Sequence, residues 1–87
     1  MSILGSTVEI GLSVAVEYGY PVNYVLVSIT SPSGIVIVDK DYASLIIGEW
    51  VYVWETPADG EVGNYEVDIA AISGMNTGKS RLAHYLG

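Results

Sequence analysis

The sequence predicts an all-β domain, a Greek-key sandwich of six or seven short antiparallel strands. Three observations lead there. Residues 50–72, WVYVWETPADGEVGNYEVDIAAI, hold two runs with a two-residue period on either side of a loop containing Pro57, Asp59, Gly60, Gly63 and Asn64. Twelve valines and nine isoleucines, with seven tyrosines and two tryptophans, are the residue types that fit a pleated, half-buried surface. Turn residues (Gly, Pro, Asn, Asp, Ser) break the chain at short intervals, and no stretch holds a long helical period.

The first strand begins at Thr7. Val8, Ile10, Leu12, Val14, Val16, Tyr18 and Tyr20 fall on one face and Glu9, Ser13 and Glu17 on the other, with Gly11 or Gly19 as the place for a bulge and Pro21 as the stop. A second strand, about Val22 to Thr30, sets Val25, Val27 and Ile29 opposite Tyr24 and Leu26. Ser31-Pro32-Ser33-Gly34 reads as a tight turn, because proline presets φ and glycine accepts positive φ. Ile35 to Val38 is apolar on both faces, which predicts a central strand closed by Asp39, Lys40 and Asp41. Leu45-Ile46-Ile47 is a short edge strand or a crossover.

Trp50, Tyr52 and Trp54 then share one face of a strand and Val51 and Val53 the other. After the loop, Tyr65, Val67, Ile69 and Ala71 oppose Glu66, Asp68 and Ala70. A last element runs from about Lys79 to Leu86. No repeat, linker or low-complexity tract interrupts the chain, so residues 1–87 form a single domain.

Size and charge narrow the function. A domain of 87 residues that is 51% hydrophobic and only 15% charged is too small to bury all of its apolar surface, which predicts self-association or docking into a larger assembly. The net charge is −7, with Lys40, Lys79 and Arg81 the only cations besides His84, so no basic patch for nucleic acid can form. The absence of cysteine excludes disulfides, thiolate metal sites and a cysteine nucleophile. No basic residue precedes Lys40, so the start lacks the charged region of a signal peptide, and no apolar run approaches the ~18 residues that span a membrane. The expectation is a leaderless, soluble chain with no membrane partner.

Several motifs offer chemistry. Ser73-Gly74-Met75-Asn76-Thr77-Gly78-Lys79-Ser80 follows an apolar strand and ends in Gly-Lys-Ser, as a phosphate-cradling loop does. Only seven residues follow Ser80, no later strand supplies a metal-binding Asp, and Ser73 stands at the first glycine position. A Gly/Asn hairpin turn is the favoured reading, although Leu82, Ala83 and Leu86 have helical spacing. A nucleotide-binding fragment is therefore the least favoured alternative.

Asp39, Asp41, Asp59 and Glu61 lack the spacing of a calcium loop and read as solvated turn acids, leaving Ca²⁺ open. Glu66 and Asp68 share a strand face, but no cleft is indicated for carboxylates working roughly 5 to 10 Å apart. His84 has no sequence-adjacent acid and reads as a surface or sheet residue. No catalytic residue, metal site or cofactor is assigned, and a small-molecule ligand is not expected. Exposed members of the set Tyr18, Tyr20, Tyr24, Tyr42, Trp50 and Tyr52 are candidates for sugar stacking or protein docking, with core packing the default for tryptophan.

Glu61-x-Gly63-x-Tyr65-x-Val67 resembles the acid-x-Gly-x-Tyr-x-Cys pattern that opens the F strand of immunoglobulin-like domains, with Glu for the usual Asp and Val for Cys. The resemblance implies that Tyr65, beside Gly63, is a corner tyrosine whose hydroxyl is tied to backbone in the preceding loop, in a disulfide-free relative. More broadly, the order V-x-I-x-S-P-S-G, W-x-Y-x-W-E-T-P and G-N-Y-E-V-D-I-A-A is similar to small immunoglobulin-like proteins of tailed viruses of bacteria and archaea, and to repeats of microbial surface proteins.

What that implies is a non-catalytic structural subunit acting by protein–protein contact in a virion head, neck, tail or decoration. The alternative is an extracellular adhesion or carbohydrate-binding module, at a cell surface only if part of a longer chain. The expected contact residues are Trp50, Tyr52 and Trp54 on the aromatic strand and Leu45, Ile46 and Ile47 in an uncharged docking loop over Ala43 to Gly48. The first strand and the terminal element are the expected free edges.

Overall fold

The computed structural model describes residues 3–12 and 22–87. Seven strands follow one another: β1 Thr7–Leu12, β2 Tyr24–Thr30, β3 Val36–Tyr42, β4 Ser44–Ile46, β5 Glu49–Glu55, β6 Gly63–Ser73 and β7 Asn76–Leu86. They form a three-stranded sheet ordered β1-β5-β4 and a four-stranded sheet ordered β3-β2-β6-β7, every pair antiparallel. No helix occurs among the described residues. The first strand is described to Leu12; the alternation continued to Tyr20, and the bend at Gly19, fall outside the described residues. Gly11 pairs with Val51 in unbroken register, so no bulge forms there.

The two sheets pack because period-2 alternation turns one apolar face of each inward. Val8, Ile10 and Leu12 from β1 and Tyr52 and Trp54 from β5 are buried against Val25, Val27 and Ile29 from β2 and Tyr65, Val67 and Ile69 from β6, with Leu86 of β7 closing one end. Each such side chain contributes about 1.5–3 kcal/mol on leaving water. The Trp54 ring meets Tyr65 edge-on at 5.5 Å and His84 at 6.4 Å. His84 is therefore a sheet residue whose ring turns toward the core beside its cross-strand partner Tyr65.

Turn chemistry sets the hairpins. Gly34, at φ +93°, donates to the Ser31 carbonyl, and the Ser31 hydroxyl accepts from the Ile35 amide, closing the β2–β3 turn. Gly74 takes φ +59° and the non-positive φ of Met75 follows, the glycine-first pattern of a II′ turn, so Ser73 and Asn76 pair directly and β7 runs as eleven strand residues. Lys79 and Ser80 lie inside that strand, and the helical spacing of Leu82, Ala83 and Leu86 is overridden by the ladder to β6.

One expectation is overturned. The apolar run at 35–38 does not form a central strand: β3 is the edge of the four-stranded sheet, and Ile35, Val36 and Ile37 are exposed. Nor does Asp39-Lys40-Asp41 end it, since the strand continues to Tyr42. Val27 pairs with Asp41 while Ile29 pairs with Val38, and Thr30 with Val36, so the register slips twice along β3. Lys40 sits in the left-handed region at φ +51° with its amide donating to the Ser28 hydroxyl. These irregularities have the character of bulges that bend an edge away from flat pairing.

Candidate functional site

The end of the sandwich that carries the β2–β3 turn is held by local hydrogen bonds. The Tyr65 hydroxyl donates to the Glu61 carbonyl at 2.7 Å, tying the start of β6 to the loop before it. Gly60 is required beneath that bond, because a Cβ there would lie 2.6 Å from Pro57 Cγ and 3.0 Å from the Tyr65 hydroxyl. Gly63 has φ +143° and lies against the Pro32 ring, so glycine is needed for both backbone and space. The Ser33 hydroxyl donates to Glu61 Oε2 at 2.6 Å, and hydrogen bonding from Ser33, with Ser31 beside it, holds the Glu61 carboxyl below its usual range. Tyr65, Gly63 and Glu61 thus have structural tasks.

Asp41 is engaged as well. Its Oδ1 accepts from the Tyr42 amide and its Oδ2 from the Tyr52 hydroxyl at 2.8 Å, joining the two sheets. Burial, with this bond and the Asp41 charge added, pushes the Tyr52 hydroxyl up to about 12. Among the described residues no group of three or more His, Asp or Glu side chains is gathered as metal ligands would be. Glu66 and Asp68 instead flank Arg81: Asp68 Oδ1 accepts from Arg81 Nε at 2.6 Å and Glu66 lies 3.9 Å away, which raises the guanidinium's affinity for its proton.

The expected contact residues separate into two groups. Tyr52 and Trp54 are buried core residues, and Trp50 is half-buried on the same face. The part of β5 that faces water is its other side, with Val53 exposed and Val51 half-exposed. Leu45, Ile46 and Ile47, by contrast, stand in solvent at 58%, 45% and 97% exposure. They form one tip, since Ile46 pairs with Glu49 and Ile47-Gly48 is the two-residue loop between β4 and β5.

Both loop residues have positive φ, +48° for Ile47 and +76° for Gly48. A two-residue hairpin of this kind calls for Asn-Gly. A β-branched isoleucine in the left-handed region is an outlier that costs on the order of 1–3 kcal/mol.

This tip continues into the exposed edge of β3. Ile35, Val36, Ile37 and Tyr42 together with Leu45, Ile46 and Ile47 place in one thirteen-residue ribbon seven of the thirteen large hydrophobic residues that are exposed among the described residues. The ribbon borders both sheets on the same side, because β3 and β4 are the consecutive edge strands joined at Ala43. The β4 half was legible in the uncharged stretch 43–48. The β3 half was not, since a run apolar on both faces signals burial without saying what does the burying.

A second feature was not read from the sequence. Lys40, Lys79 and Arg81, all the lysine and arginine of the chain, line one groove of about 310 Å³ on the outer face of the four-stranded sheet. Its floor comes from Leu26, Ser28 and Ala70. The spacing of Lys79 and Arg81 signals a shared strand face; bringing Lys40 to them takes the register of four strands.

No protein-family model, curated protein or solved structure matches the chain. The fold and these surfaces are what define it: an all-β protein of two packed antiparallel sheets, with a tyrosine that ties β6 to the loop before it and an apolar edge ribbon.

Proposed function

We propose that this chain is a non-catalytic, immunoglobulin-like module that acts by protein–protein contact as a structural subunit of a larger assembly, of the kind found in virions. The sheet orders β1-β5-β4 and β3-β2-β6-β7 support the immunoglobulin-like part, corresponding to strands B, E, D and C′, C, F, G of that Greek-key sandwich. The Tyr65 hydroxyl bond to the loop before β6 supports it too. Virion membership rests on the sequence resemblance alone.

The observation that carries the contact function is the ribbon 35–47, with seven large apolar side chains in water and a strained isoleucine at its tip. Strain at an exposed position is retained when the residue serves something outside its own fold. Magnitudes set how much of the ribbon a partner must cover. Association costs roughly 4–15 kcal/mol in lost freedom, and each fully buried Ile or Leu returns about 1.5–3 kcal/mol. At least three or four of the seven must be buried together for a lasting contact. The irregular register of β3 disfavours strand-on-strand addition there and favours contact through side chains.

Carbohydrate binding has less support. It calls for an exposed aromatic platform, whereas Trp54 is buried and Trp50 half-buried. The exposed Tyr24–Tyr42 pair meets edge to face rather than as a flat platform.

Sedimentation velocity over a concentration series at about 0.5 M salt, where contacts between exposed charges are screened, tests the proposal. The wild-type chain is expected to associate, and Leu45→Lys with Val36→Lys is expected to keep the fold and lower the association at least tenfold. A double variant that associates as the wild type does would falsify the assignment of the ribbon.

A further inference from the structure

The outer faces of the two sheets differ in charge. On the three-stranded sheet, Val8, Ile10, Leu12, Trp50, Tyr52 and Trp54 point inward, so Glu9 of β1 and Glu49, Val51, Val53 and Glu55 of β5 point out. Cross-strand pairing sets Glu9 beside Val53, Thr7 beside Glu55 and Ile46 beside Glu49. This face carries three exposed carboxylates around two valines, and no cation among the described residues.

The four-stranded sheet has a mixed outer face, where Lys40, Lys79 and Arg81 outnumber the two carboxylates, Glu66 and Asp68, that flank Arg81. Asp68 lies between Ser28 of β2 and Arg81 of β7, and Ala70 lies between Leu26 and Lys79. Ser28 and Ala70 are short, so the middle of the sheet is low; Lys40 on one side and Lys79 and Arg81 on the other form the walls. Arg81 Nε donates to Asp68 Oδ1, which holds the guanidinium in place, and Glu66 lies 3.9 Å from its other side. In a chain of net charge −7, gathering every lysine and arginine on one face leaves the opposite face uniformly acidic.

We propose that these two faces bind each other between copies, the acidic three-stranded face of one chain seated on the cationic groove of the next. Glu9, Glu49 and Glu55 then lie against Lys40, Lys79 and Arg81, and the Val51–Val53 ridge meets the Leu26–Ala70 floor. Because the two surfaces differ, the contact is heterologous and generates a ring or an open stack rather than a two-fold dimer. It rests on the reading of the chain as an assembly subunit, adds a second copy of this chain as the partner, and uses none of the seven residues that carry the edge ribbon.

Charge reversal tests it on the full chain by sedimentation velocity at low salt and at about 0.5 M salt, where the screening length falls to a few ångströms. The face contact is expected to be present at low salt, to weaken at least tenfold at high salt, and to survive Leu45→Lys with Val36→Lys. Association through the edge ribbon has the reverse profile, so the two failures are separable. Glu9→Lys is the sharpest variant. It lowers the overall repulsion between copies and would raise nonspecific association, whereas the face contact requires a loss of at least tenfold.

Lys79→Glu is expected to lose association by a similar factor. Met75→Glu with Asn76→Asp, which reaches the same net charge at the exposed β6–β7 turn, is expected to lose little. Mixing the Glu9→Lys chain with the Lys79→Glu chain is expected to restore a hetero-association that neither shows alone. With these variants made in the Leu45→Lys, Val36→Lys background, which removes the ribbon contact, salt-insensitive association, unchanged association of Glu9→Lys, or no restoration on mixing overturns the proposal.

Discussion

At the scale of single residues, three side chains carry distinct and measurable loads. Tyr65 anchors the β5–β6 loop through one hydroxyl bond to the Glu61 carbonyl, above a glycine that has no room for a methyl group. Tyr65→Phe keeps the ring against Trp54 and removes only that bond, so it is expected to lower stability by about 1–2 kcal/mol. In denaturant titration the midpoint falls while the slope is unchanged. Tyr52 is tied to pH. Its hydroxyl is raised to about 12, above the ordinary value of 10 that it regains on unfolding, so the unfolded chain loses this proton first. The contribution is intact below pH 10 and is lost as pH rises from 10 to 12, by on the order of 2 kcal/mol in all. Alkaline titration of stability checks this: Tyr52→Phe is expected to flatten that limb relative to the wild type.

Ile47 works in the opposite sense. Ile47→Asn fits the left-handed conformation and is expected to stabilise the fold by about 1 kcal/mol. The same change removes the most exposed apolar side chain of the ribbon and is expected to weaken association, a trade of stability against contact seen by comparing the denaturation midpoint with the sedimentation profile.

At the scale of elements, alternation proved a sufficient guide wherever one face of a strand meets the core and the other meets water. Val25, Val27 and Ile29, and Tyr65, Val67 and Ile69, are buried on the faces their spacing predicts. The turns at Ser31–Gly34 and Gly74–Met75 follow from proline and glycine chemistry. β3 departs because its pattern is apolar on both sides, a signature of cover on both sides. Within one chain that places a strand in the middle of a sheet; here β3 is the edge, and the cover is supplied, in the proposed assembly, by a neighbour. β5 misleads in another way. Its aromatic residues suggested a docking face, yet Tyr52 and Trp54 fill the inter-sheet space that a chain without phenylalanine must fill with its largest rings. Trp54→Ala is therefore expected to cost about 3–5 kcal/mol of stability, as core aromatics do. Differential scanning calorimetry checks this through a lowered midpoint.

At the scale of the whole molecule, the chain combines a small core with two kinds of surface, an apolar edge and a pair of sheet faces that differ in charge, one acidic and one holding all the lysine and arginine. A sequence reports the number of each residue type but not how register sorts them between faces, so the net charge of −7 gave no sign that all three lysine and arginine side chains line one groove. Salt separates the two surfaces, since screening weakens the charged contact and leaves apolar burial in force.

The edge ribbon is the central claim, and an NMR dilution series on the ¹⁵N-labelled chain tests it most directly. Run at high salt to suppress the charged faces, the series is expected to show concentration-dependent amide shifts concentrated at residues 35–47, with Ile47 and Leu45 among the largest and the core strands β2 and β6 still. Shifts that spread elsewhere while 35–47 stay constant, or a spectrum independent of concentration up to the millimolar range, would contradict it.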